Sequence, residues 1–106
     1  MAIDQDLIDE IVRRVLTVAA PDRIILFGSA ATGHMTRDSD IDLLIVQPGP
    51  FDDVEESVRI RSAIGSIGHA CDVIVLDADY FERTKHVIGS IAFPANRYGR
   101  VVYGAA

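Results

Sequence analysis

Leu7, Ile8, Ile11, Val12, Val15 and Leu16 recur at intervals of three and four, which predicts an amphipathic first helix. Asp4 or Asp6 can cap it, because a short carboxylate accepts from the free amides of a first turn, and Pro21 with Asp22 ends it. The apolar pattern then becomes continuous: Arg23 to Phe27, RIILF, predicts a short buried strand that stops at Gly28. Ser29 to Gly33 predict a short helix or turn, and residues 34–39, HMTRDS, a polar loop. Asp40 to Val46 form a second predicted strand, closed by Pro48, Gly49 and Pro50. From Phe51 to about Ile67 the spacing of Val54, Val58, Ala63, Ile64 and Ile67 predicts a helix ended by Gly68, with Asp52, Asp53, Glu55 and Glu56 near its favourable amino end. Residues 72–76, DVIVL, predict a third strand, and Asp77 or Asp79 can cap a short helix carrying Tyr80 and Phe81. Ser90 caps a last short helix with Pro94 in its first turn, before Gly99 and an extended VVY.

Strands alternating with helices imply an α/β (α+β) architecture, a small mixed β-sheet with helices packed mainly on one face. The 106 residues suit one domain spanning 1–106, too little chain for a second core on either side of QPGP.

Composition narrows the function classes. No apolar run approaches the roughly 18 residues of a membrane span, and the acidic start MAIDQDLIDEIV is unlike a signal peptide, so a cytoplasmic location is expected. Cys71 is the only cysteine, which leaves no internal disulfide or thiolate cluster and reads as a small buried hydrophobe. The net charge of −6 opposes binding to a phosphate backbone, so no direct nucleic-acid partner is expected. A nucleotide screened by metal ions, or a basic protein, remains compatible with it.

The chemistry concentrates between residues 27 and 42, FGSAATGHMTRDSDID. If Asp40 and Asp42 both lie in the second strand, their carboxylates share a face about 6 to 7 Å apart. Two anions beside an apolar run call for a cation, and magnesium suits hard oxygen ligands completed by water and phosphate. Gly28, at a strand end, lets a ligand approach the backbone, and Ser29 adds a hydroxyl and the start of a helical turn for an anion. The pattern is not a Walker loop, because GxxxxGK[ST] is absent. Arg37 would lie in the loop between phosphate and metal sites. Asp72 opens the third strand in a comparable position, and the three carboxylates converge if that strand lies beside the second. His34, His69 and His86 lack metal-ligand spacing and read as surface or satisfied histidines, His34 alone lying in the loop of the site. Tyr80, Tyr98 and Tyr103 read as half-buried packing residues.

The stretch GSAATGHMTRDSDIDLLIV resembles the GSx10DxD signature of the nucleotidyltransferase superfamily that includes DNA polymerase beta, with ten residues between Ser29 and Asp40. The short chain, CDVIVL and the tail GSIAFPANRYGRVVY are similar to the minimal nucleotidyltransferase (MNT) subgroup. The resemblance implies a polymerase beta-like nucleotidyltransferase fold. It also implies that Gly28 and Ser29 hold nucleotide phosphates, that Asp40 and Asp42 bind two magnesium ions, and that Asp72 shares a metal and helps activate the acceptor. Many proteins of this subgroup resemble antitoxins paired with a HEPN-domain ribonuclease toxin, which implies AMP transfer from ATP onto a toxin tyrosine and a hetero-oligomer. Ala30 departs from the arginine that many such antitoxins carry after GS. The rival reading is a non-catalytic subunit that masks a toxin's active site; an antibiotic nucleotidyltransferase fares worse, since such enzymes need more chain around the acceptor.

Overall fold

The computed structural model describes residues 4–33 and 39–104, apart from the side chains of Ala30 and Thr32. The elements follow the order α1 (Gln5–Leu16), β1 (Arg23–Phe27), α2 (Ser29–Thr32), β2 (Ile41–Gln47), α3 (Asp53–Ile64), β3 (Cys71–Asp77), α4 (Ala78–Thr84), α5 (Ala92–Tyr98) and β4 (Arg100–Gly104). The four strands form one mixed sheet in the order β3-β2-β1-β4. β1 pairs antiparallel with β2 and β4, and β2 pairs parallel with β3. The parallel pair needs a crossover, which α3 supplies.

Alternation along the strands sorts two apolar sets to opposite faces. Ile24, Leu26, Ile41, Leu43, Ile45 and Val75 meet the long helices α1 and α3, whose Ile8, Ile11, Val15, Ile60 and Ile64 complete the main core. Ile25, Leu44 and Val46 meet Phe81, Ala92 and Ala95 of the short helices α4 and α5 in a smaller second core. The mixed sheet is as expected, with its heavier helical cover on one side.

Asp4 caps α1 by accepting from the Asp6 amide at 2.9 Å. The helix stops well before Pro21, and Leu16, which the spacing places on the apolar face, is 38% exposed. α3 differs more. Asp52 caps it through the Glu55 amide, and it ends at Gly65 (φ 64°), whose positive φ breaks the helix before Gly68. Its buried side is Ile60 and Ile64, so Val54 and Val58, predicted to face the core, are exposed.

β2 begins at Ile41, one residue later than predicted, while β3 is one residue longer at each end than predicted. Asp77, not Asp79, caps α4, accepting from the Asp79 and Tyr80 amides. Ser90 does serve the start of α5, its hydroxyl oxygen accepting from the Phe93 amide at 3.1 Å. Cys71 is buried as expected, and Tyr80 and Tyr103 are near the half-buried positions expected of them, whereas Tyr98 is mostly exposed. No helix among the described residues is long and apolar enough to cross a membrane.

Candidate active site

Because β1 and β2 run antiparallel, the carboxyl end of β1 meets the amino end of β2, with Phe27 opposite Asp42. Gly28 follows at φ 68° and ψ −148°, a backbone state that side chains disfavour. A Cβ added there would sit 2.4 Å from Asp42 Oδ2. Gly28 is thus required twice, for its turn and for the room it leaves the carboxylate. The two halves of the motif, distant in sequence, touch at this point. Ser29 begins α2 and is partly buried.

β3 lies against the other side of β2 with Asp42 and Asp72 in register. Both project to the face that carries Leu44, Val46, Ile74 and Leu76. Burial pushes the Asp42 carboxyl above the usual carboxylate range, and the negative charges of Asp72 and Asp40 push it the same way. Burial, followed by those same two charges, raises the neighbouring Cys71 thiol to about 11, which makes it a poor nucleophile.

Asp40 precedes β2 and is exposed, so it does not alternate with Asp42 as a strand residue. Its segment is tied to the start of β3 from both sides: the Ile41 amide donates to the Ala70 carbonyl at 2.8 Å, and His69 Nδ1 lies 3.4 Å from the Ser39 carbonyl oxygen. Sequence reading set His69 aside. Its contact spans 30 positions, and no local pattern could announce it. Arg37 and His34 fall outside the described residues, as does the side chain of Ala30. His86 is exposed on the surface beyond α4.

Three of the predicted residues, Gly28, Asp42 and Asp72, are therefore brought into one constellation, with Ser29 next to it and Asp40 at its rim. Among the described residues no group of three or more His, Cys, Asp or Glu side chains is arranged to hold a metal ion. Asp40 and Asp72 are exposed, and Asp42 between them is partly buried. The donor set nevertheless fits a hard divalent cation. It is made of carboxylate oxygens only, two of the carboxylates disfavour joint ionisation, and a cation between them would remove that cost.

Comparison with known proteins gives the family and the fold. The nucleotidyltransferase domain family matches residues 6–95. The fold is similar to that of a chain in the crystal structure of a toxin-antitoxin with AMP-PNP, at a TM-score of 0.64 and 19% identity, covering 92% of this chain and 73% of that one. It is also similar to a protein of Sulfolobus solfataricus regarded as a nucleotidyltransferase, solved at 1.40 Å, at a TM-score of 0.60 and 26% identity over 91% of this chain and 76% of that one. No curated protein matches the chain. With the family match covering most of the chain, including β1 to β3 and the paired aspartates, the chain belongs to the nucleotidyltransferase domain family.

Proposed function

We propose that this nucleotidyltransferase is magnesium-dependent and moves AMP from ATP onto a protein hydroxyl, as the antitoxin that modifies a HEPN ribonuclease toxin. The observation that carries the reading is the in-register pair Asp42 and Asp72 directly beside Gly28. The toxin-antitoxin neighbour, crystallised with AMP-PNP, supports an adenine nucleotide and a toxin as partner.

In this reading Gly28 and Ser29 grip the phosphates, the glycine through close backbone approach and the serine through its hydroxyl. Asp40, Asp42 and Asp72 would hold magnesium, which when bound neutralises phosphate charge and favours the ionised acceptor. Asp72, the second residue of the outermost strand on this side of the sheet, is exposed and open to an incoming acceptor. Its carboxylate oxygen accepts the acceptor's hydroxyl proton. The acceptor oxygen then bonds to the α-phosphorus, the bond from that phosphorus to the bridging oxygen breaks, and pyrophosphate leaves with the electron pair. Asp42, packed against Gly28, fixes the position of the pair.

Incubation with α-labelled ATP and a HEPN-domain partner tests the reading. Label is expected on the partner only with magnesium present, and Asp42→Asn is expected to abolish it. Persistent labelling by that variant would overturn the assignment. Ala30, in place of arginine, favours the masking subunit as a second reading. If the combined Asp40→Ala and Asp42→Ala variant still protects cells from the toxin, masking is sufficient.

A further inference from the structure

The two edges of the sheet are built differently. β4 carries Arg100, pairs with β1 through a register shift between Ile24 and Ile25, and ends on Gly104, the kind of short, interrupted edge that resists further pairing. β3 runs seven residues, CDVIVLD, in unbroken register with β2 and has neither lysine nor proline. The Ile41 amide donates to the Ala70 carbonyl. In a parallel ladder this directs the backbone groups of Asp72, Ile74 and Leu76 toward β2 and those of Cys71, Val73 and Val75 outward. The outer edge of β3 is a row of donors and acceptors, partly exposed at Val73 and largely covered at Cys71 and Val75.

A cleft follows this edge, lined by Asp53 and Val54 of α3 and by Val73 to Leu76, and a second one continues it past Asp77, Tyr80 and Ile91. Val54 is 72% exposed, and Tyr80 and Ile91 also leave apolar surface open. Acidic groups, Asp53 and Asp77, stand at one end; Asp72, at the other, belongs to the proposed catalytic site. Among the described residues none of the three forms an ion pair with a basic side chain. A second copy of this chain is disfavoured here, because it would set these acids against themselves on a molecule of net charge −6. An extended segment with lysine or arginine at its ends satisfies all three features: edge hydrogen bonds, apolar contacts and charge.

The geometry points to β3 as the docking edge for the acceptor: a basic-flanked, extended segment of the partner protein adds as a fifth strand and delivers its hydroxyl at the Asp72 end. The delivery step rests on the proposed transfer reaction, whereas the docking does not. The two are separated by one experiment with a synthetic peptide of alternating valine and threonine, bearing paired lysines at each end and one tyrosine. Amide exchange is followed residue by residue, and labelled AMP on the peptide is measured in parallel with magnesium and ATP.

The peptide is expected to slow exchange at Val73 and Val75 by about tenfold or more, leaving Asp72, Ile74 and Leu76, already bonded to β2, unchanged. Replacing its lysines by glutamates, or Asp53→Lys in the protein, is expected to remove most of that slowing. Unchanged exchange at Val73 and Val75 overturns the docking edge. Slow exchange already present without peptide and dependent on protein concentration also overturns it, assigning the edge to a second copy. Label on the tyrosine without slowing overturns the docking while the transfer reading stands; slowing without label upholds the docking and counts against transfer.

Discussion

Gly28 and Asp42 show how much of the site depends on single atoms. The space that a Cβ would occupy on Gly28 is already taken by Asp42 Oδ2, and the positive φ adds a backbone penalty of about 1 to 3 kcal/mol for any other residue. Gly28→Ala is therefore expected to lower stability by that order in denaturant melts and to abolish the thermal stabilisation given by ATP with magnesium. Asp42→Asn should behave differently. It removes one of two facing carboxylates that burial and like charge disfavour, so in chelator it is expected to melt at or above the temperature of the unaltered chain while losing transferase activity. A variant that melts clearly lower would contradict this account of the pair. The residue types of the site were legible because Gly28, Ser29, Asp40 and Asp42 sit in one short motif and each follows or precedes an apolar strand. The exposure of Asp40 was not, since it depends on where pairing of β2 begins.

At the scale of elements, α1 and α3 cover the main core and are tied to each other by arginines. Arg14 donates to the Ile64 carbonyl at the end of α3, and Arg59 donates to the Val18 carbonyl beyond α1. Glu10 orients Arg14 and also accepts from Arg13, and these hydrogen bonds, more than the charges themselves, lower its pKa from 4.5 to about 2. A carboxyl whose pKa falls on folding binds fewer protons in the native state, so its contribution is fully present above about pH 4.5 and is lost as pH falls toward 2. Glu10→Gln is expected to flatten the loss of stability across that window and to lower the neutral-pH melt by the same amount, a small one as suits an exposed pair. Phe81→Ala tests the smaller core: the ring is fully buried between α4 and the sheet, and its loss is expected to cost about 3 to 5 kcal/mol in denaturant unfolding.

The existence and order of these elements were legible from period and punctuation. The buried face of α3 was not. Val54 and Val58 fit a helical stripe by spacing, yet the register of the crossover turns Ile60 and Ile64 inward and leaves Val54 beside the open β3 edge. Spacing reports which residues share a face, and only packing decides which face is covered.

For the whole molecule, the antiparallel β1-β2 pair and the parallel β2-β3 pair bring three chain segments to one end of the sheet, and the glycine-serine and carboxylate halves of the motif meet there. The first pairing follows from the closeness of the strands in sequence. The second depends on a crossover of more than twenty residues, so the in-register placement of Asp72 could be expected only conditionally from DVIVL. The molecule offers other acidic groupings, notably Asp52, Asp53, Glu55 and Glu56 at the start of α3 and Asp77 with Asp79 at the start of α4. The most direct test of the central claim is which grouping takes the cation. Manganese, a paramagnetic substitute for magnesium, titrated with an unreactive ATP analogue into labelled protein, should first broaden the amide signals of Gly28, Ser29, Asp42 and Asp72, and Asp42→Asn should prevent it. Broadening that begins instead at Asp52 to Glu56 or Asp77 to Asp79, with the signals of Gly28 and Asp72 unchanged, would contradict the assignment of the site.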